Sequence, residues 1–191
     1  SQLLKIACNQ GFSEACIILG EMYRDGNGVD KNAERGLSYF EKACQHGNAK
    51  ECDHSARLHD QGKIVPRNEA KAIVFYDLAC KGQIYGACYA LGALLRDASG
   101  AVQDSGRAAR LFATACDNNY LKGCFSLGKL YEHGHIVAQD TARARSLYQK
   151  ACNGDHSLAC YHTAAILDHQ SKEPESIQEA IQLYQKACNS G

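Results

Sequence analysis

The chain is 191 residues long and 45% apolar, and its 21 basic and 21 acidic side chains cancel. Zero net charge, with no Lys/Arg run and no aromatic-basic platform, argues against a nucleic-acid partner. No stretch approaches the roughly 18–20 apolar residues of a membrane span, so no membrane insertion is expected.

Eleven cysteines set the frame. Cys8/Cys16, Cys44/Cys52, Cys80/Cys88, Cys116/Cys124 and Cys152/Cys160 are pairs with seven residues between them, and Cys188 opens a sixth copy. First cysteines at 8, 44, 80, 116, 152 and 188 recur every 36 residues, a period that marks a stacked repeat. On one helix, two residues eight apart would lie about 12 Å from each other. A disulfide needs Cα atoms within roughly 4.4–6.8 Å, so the chain must turn back between them. The turn is readable at Gln10-Gly11, His46-Gly47, Lys81-Gly82, Asn118-Asn119 and Gly154-Asp155. The first cysteine then ends one helix, the second lies in the opening turns of the next, and the bridge staples a helical hairpin. Zinc is the competing reading. It fits poorly, because zinc pairs are usually spaced Cys-x2–4-Cys and two pairs must converge on one ion.

In chain order, residues 1–8 read as the end of a preceding helix B. Repeats follow at about 9–44, 45–80, 81–116, 117–152 and 153–188, with 189–191 starting another, so the array is expected to be truncated at both ends. Helix A begins near Ser13, Ala49, Tyr85, Leu121 and Ser157. Cys124, Leu127, Gly128 and Tyr131 give one buried stripe, matched by Cys16, Leu19, Gly20 and Tyr23 in the first repeat. The column Gly20, Ala56, Gly92, Gly128 and Ala164 stays small, which lets a second helix approach closely. A loop such as Asp25-Gly26-Asn27-Gly28-Val29 follows, with one apolar plug (Val29, Val65, Val137). Helix B starts near Asn32, Asn68, Asp104, Asp140 and Ser176, all good N-cap types. Its buried face includes Leu37, Phe40 and Ala43, or Ile181, Tyr184 and Ala187. An alanine precedes every first cysteine, which points to tight packing. Irregular loops are expected at Ala98-Ser99-Gly100 and Gln170-Ser171-Lys172-Glu173-Pro174.

Leu19-Gly20-Glu21-Met22-Tyr23, then Gly26-Asn27-Gly28-Val29, then Tyr39-Phe40-Glu41-Lys42-Ala43 resemble a Sel1-like repeat. The paired cysteines at a 36-residue period are similar to the cysteine-rich branch of that family, as in the Helicobacter cysteine-rich proteins. The resemblance covers essentially the whole chain. It implies an all-α fold, an αα-hairpin solenoid forming a right-handed, tetratricopeptide-like superhelix with helix A lining the concave side. It also implies an adaptor or ligand-binding role in bacterial envelope or secreted proteins. In the second repeat, Ser55 and His59 stand where the first has Leu and Tyr.

Four helix-A columns escape the monotony of the buried ones. They run Ile17, Asp53, Tyr89, Phe125, Tyr161; Glu21, Arg57, Ala93, Lys129, Ala165; Arg24, Asp60, Arg96, Glu132, Asp168; and Asp25, Gln61, Asp97, His133, His169. From these, Ile17, Glu21, Asp53, Arg57, Tyr89, Arg96, Phe125, Lys129, His133, Tyr161 and His169 are the candidate residues for binding a protein or peptide partner. The bland reading is scattered surface residues, or rings packed on the next repeat. No metal site is expected: Asp53, His54 and His59 do not share one helix face, and the His133/His135 pair flanks a glycine at a loop. No cofactor and no catalytic residue is assigned. Ser126-Leu127-Gly128-Lys129 matches the Ser-x-x-Lys of penicillin-recognising enzymes, but it has no Ser-Asp-Asn or Lys-Thr-Gly companion.

The expected function is an exported interaction scaffold, a monomeric array. The alternatives are a β-lactam-binding or β-lactamase-like enzyme and an immunity or inhibitor protein for a secreted effector. Bridge density points to the periplasm or the cell exterior, with the mitochondrial intermembrane space as the alternative. A chain that begins Ser1-Gln2-Leu3 in mid-helix is expected to have an export signal upstream.

Overall fold

The computed structural model describes residues 2–97, 104–134, 136–170 and 173–189. The loop expected at Ala98-Ser99-Gly100, together with His135, Ser171 and Lys172, lies outside the described residues. Among those described, every regular element is a helix: α1 (Gln2–Asn9), α2 (Ser13–Asp25), α3 (Ala33–Gln45), α4 (Ala49–Gln61), α5 (Glu69–Lys81), α6 (Tyr85–Asp97), α7 (Ser105–Asp117), α8 (Leu121–His133), α9 (Thr141–Asn153), α10 (Ser157–Gln170) and α11 (Pro174–Asn189). None of them is long and apolar enough to cross a membrane.

Local chemistry explains where these helices start and stop. Asn32, Asn68, Asp104 and Asp140 cap α3, α5, α7 and α9, each accepting a hydrogen bond from the amide three residues on. The last helix departs from this pattern. It starts at Pro174 rather than near Ser176, because a proline suits the first helical position, where no amide is needed. At the other end, Gly26, Gly62 and Gly134 stop α2, α4 and α8 in the left-handed region and donate back to the Met22, Leu58 and Leu130 carbonyls.

The turn inside each cysteine pair is built the same way five times. The carbonyls of Ala7, Ala43, Ala79, Ala115 and Ala151 accept from the amides of Phe12, Asn48, Ile84, Tyr120 and His156. A left-handed residue sits between, at Gly11, Gly47, Gln83, Asn119 and Asp155. In the third and fifth turns the left-handed residue is therefore Gln83 or Asp155, and not the neighbouring glycine. Gly82 and Gly154 serve close approach instead, since a Cβ there would run into Ala49 or Leu121. The turns bring the paired cysteines to Cα separations of 4.4–4.8 Å. All five disulfides form: Cys8–Cys16, Cys44–Cys52, Cys80–Cys88, Cys116–Cys124 and Cys152–Cys160.

The chain divides into two compact units, one ending at Leu94 and the other starting at Leu95. In the first, Cys8, Ala15, Cys16, Leu19 and Ala43 form a buried cluster flanked by Ile17 and Tyr39. Gly20 admits the ring of Phe40, and Tyr23 stacks on Tyr39 with centroids 5.5 Å apart. In the second unit Cys116, Cys124, Tyr148, Ala151, Cys152 and Cys160 are buried together, and Gly128 admits the ring of Tyr148. The small helix-A column thus makes room for a helix-B ring. Lys150 and Lys186 reach the carbonyls of Cys116 and Cys152 at 2.8 Å each, joining one hairpin to the end of the one before. Ile181, read as buried, is 44% exposed, while Tyr184 and Ala187 are half-buried.

Candidate functional site

The cysteines and the groove residues, both singled out from the sequence, part company in the structure. On the helix-A side of the bridges, Cys16, Cys52, Cys88, Cys124 and Cys160 are all buried. Cys52 and Cys88 are tied to Cys44 and Cys80, so neither offers a thiol or a surface to a ligand. Their place is in the core, as staples beneath the face that carries the candidates, and not in a binding site.

In the first unit the candidate residues lie along α2, α4 and α6. Ile17 is half-buried against the cysteine cluster and Glu21 is exposed. Asp53 pairs with Arg57 at 3.0 Å. Burial pushes the Asp53 carboxyl up, against the pull of Arg57 and His54. Tyr89 is half-buried. The three residues considered as a metal cluster point to different partners: Asp53 to Arg57, His54 to Glu51 at 3.3 Å, and His59 to Glu41 at 2.6 Å. His59 is buried and stacked on Phe75, and its Nδ1 finds no partner; Ser55 Oγ, one turn earlier, also has none. Among the described residues no three His, Cys, Asp or Glu side chains converge as a metal site needs.

The second unit gathers its candidates around pockets on the helix-A face. Arg96, Lys129 and His133 line one of about 220 Å3, with Ser126, Leu130 and Ile136. Tyr161 and His169 line another of about 370 Å3, with Glu132, Thr141, His162, Ala165 and Ile166. Phe125 is not a free wall. It is half-buried, stacked on His156 with centroids 4.8 Å apart and set edge-on to His162. Tyr161 is 52% exposed, touching His162 and Tyr184 by ring contacts.

A polar network under this face was not singled out from the sequence. Tyr148 donates to Glu132 Oε2 at 2.6 Å, and His162 Nδ1 lies 3.4 Å from the same oxygen. Burial and that hydrogen bond push the Tyr148 phenol well above its usual range. Glu132 belongs to a column recognised as variable, and the variability was the available signal. What the sequence hid is that Glu132 faces a tyrosine from helix B. His156 accepts a hydrogen bond from the Ala159 amide at 3.4 Å, capping α10, and burial holds its imidazole below the usual range.

Ser126, the first residue of the Ser-x-x-Lys match, is buried, and no described residue hydrogen-bonds to its hydroxyl. Lys129, exposed one turn along α8, lines the same pocket as Ser126. A larger pocket, about 590 Å3, lies on the helix-B side among Arg145, Ser146, Gln149, Lys150 and Glu179. No candidate residue lines it.

Hairpins of this kind, with a bridge in each turn and side chains spare on helix A, define an αα-hairpin solenoid of the interaction-scaffold class. A Sel1 repeat profile matches residues 13–48, 54–83, 86–120, 121–156 and 157–191, and the chain belongs to the Sel1 repeat family. Among solved structures it is similar to a protective antigen of uropathogenic Escherichia coli that displays the SLR fold. There the TM-score is 0.84 and the identity 23%, over all of this chain and 41% of that one. The chain thus spans about two fifths of that protein's length. A Sel1 repeat protein from Oxalobacter formigenes gives a TM-score of 0.82 at 23% identity, covering 95% of this chain and 75% of that one. Cysteine rich protein B of Helicobacter pylori gives 0.53 at 25% identity, covering 71% of this chain and 97% of that one. Among curated proteins no relative matches the chain.

Proposed function

We propose that this chain is an exported scaffold that binds a protein or peptide segment along its helix-A face, and that it has no catalytic role. The observation that carries this reading is the division of labour in the second unit. Cysteines, alanines and helix-B rings are spent on packing, while Arg96, Lys129 and His133, and then Tyr161 and His169, line successive openings on helix A. An exposed tyrosine beside charged side chains is a composition enriched at binding hot spots. The bridges hold each hairpin in one geometry, so association loses less conformational freedom. Five disulfides support an oxidising compartment, the periplasm or the cell exterior.

Affinity capture from a cell-envelope extract tests the reading when three baits are compared. Wild type and an Arg145→Ala/Gln149→Ala variant on the helix-B side should retain the same partner. A Lys129→Ala/Tyr161→Ala/His169→Ala variant should lose it. Retention by the triple variant with loss by the helix-B variant would move the site to the other side of the hairpins.

A further inference from the structure

The pocket of about 370 Å3 in the second unit is built around one carboxylate. Glu132 is half-buried, and its Oε2 accepts from the buried Tyr148 hydroxyl at 2.6 Å, while His162 Nδ1 stands 3.4 Å away. Glu132 Oε1 takes no hydrogen bond or ion pair from any described residue. The phenol follows a pattern in the sequence. The helix-A column Arg24, Asp60, Arg96, Glu132, Asp168 runs in register with the helix-B rings Phe40, Tyr76, Phe112, Tyr148, Tyr184, so every acid has a tyrosine and every arginine a phenylalanine. Arg96 illustrates the other half of the pattern, with its guanidinium 5.7 Å from the Phe112 ring centroid. A phenol that donates to a carboxylate fixes it in place and leaves its charge intact.

That charge has no permanent counter-ion among the described residues. Lys129, one turn earlier on α8, lines the other helix-A pocket and forms no ion pair with Glu132. Arg143 is turned to Asp140 at 3.3 Å and lies over the Tyr131 ring. His162 balances the carboxylate only when protonated. A half-buried carboxylate without a cation is costly and attracts one.

The walls say which cation fits. Tyr161 brings an exposed ring, whose face attracts an ammonium, and Ala165 and Ile166 offer apolar surface to an aliphatic stem. With Oε2 taken by Tyr148, one carboxylate oxygen is left to a ligand. An arginine fork calls for two parallel acceptors. A lysine ammonium is a compact charge that one oxygen satisfies, and the Thr141 hydroxyl lines the same pocket as a further acceptor.

We infer that this pocket takes a lysine side chain of the bound segment. Its ammonium donates to Glu132 Oε1 and lies against the Tyr161 ring, and its stem runs over Ala165 and Ile166. This rests on the helix-A-face reading above and adds the chemistry of the partner.

The test selects peptides from a random library on the full, oxidised chain. The selected peptide is then remade with norleucine for lysine, which keeps the stem and removes the ammonium. Norleucine should weaken binding to the wild type about tenfold, the loss of one charge-assisted contact. Glu132→Gln keeps an acceptor for Tyr148, and it should bind the lysine and norleucine peptides equally. Unfolding curves confirm that this variant folds, and the norleucine comparison needs no variant at all. Selected peptides without a lysine, arginine serving equally well in its place, or a Glu132→Gln variant that still prefers lysine to norleucine would overturn the lysine assignment and leave the helix-A reading standing. Peptides held equally well by the Lys129→Ala/Tyr161→Ala/His169→Ala variant would overturn the helix-A reading itself. Failure to select any peptide would overturn both.

Discussion

His156 caps α10 with an imidazole where the second repeat uses the amide of Asn48, and this makes one helix start sensitive to protons. The cap needs Nδ1 unprotonated, and burial lowers the folded-state pKa from the ordinary 6.5. The unfolded chain thus takes up its proton first as pH falls. Stability from this group is present above the ordinary imidazole value and is lost as pH drops through it toward the depressed folded value. Denaturant unfolding between about pH 7 and pH 5 should show stability falling with acid. The His156→Asn variant, which keeps a cap but does not titrate, should have a flatter profile. An equally steep profile would assign the acid sensitivity to other groups. At this scale the sequence was legible where one side chain does one local job, as at Asn32, Asn68, Asp104 and Asp140. It misled where a residue type has two uses: Gly82 and Gly154 look like turn glycines but stand where Ala49 and Leu121 press in. The end of α11 misled as well, since Ile181 repeats the helix-B pattern but is 44% exposed.

Between elements, the fit of helix B against helix A rests on ring into glycine. Tyr148 lies over Gly128, donates to Glu132 and is buried among Cys116, Cys124 and Cys152. Adding a methyl at Gly128 would overlap the Tyr148 ring, and the hydrogen bond to Glu132 limits how far the ring can retreat. Gly128→Ala should destabilise by about 1–3 kcal/mol, the usual cost of overpacking a filled core. Chemical denaturation measures it directly. A loss below roughly 0.5 kcal/mol, the scale of an ordinary surface change, would mean the hairpin relaxes freely. The small column announced this contact in the sequence, because five small residues at a 36-residue spacing leave little else to explain them. The candidate site was only half legible for a related reason. Variable columns located Arg96, Lys129, His133, Tyr161 and His169 on helix A, but a column does not reveal neighbours from other elements. Phe125 sits in a column with the exposed Tyr161 and yet is covered by His156 and His162. Ser126 opens a Ser-x-x-Lys match without its companions, and its place in one pocket with Arg96, Lys129 and His133 appears only in the folded unit.

Across the whole molecule, the cysteine spacing carries the most consequence. Each bridge closes a short loop, contributing roughly 2–3 kcal/mol in the chain-entropy model, and each does so within its own hairpin. Every hairpin is therefore fixed separately, and its helix-A side chains are held in place before a partner arrives. Both the binding reading and the oxidising compartment depend on those bridges being present in the protein as the cell makes it. The direct measurement is intact mass and non-reduced peptide mapping of the native protein, with thiols blocked at the moment of lysis. The account predicts five bridges, each joining the two cysteines of one Cys-x7-Cys pair, and a single alkylated thiol at Cys188. Alkylation of all eleven cysteines without prior reduction would contradict it.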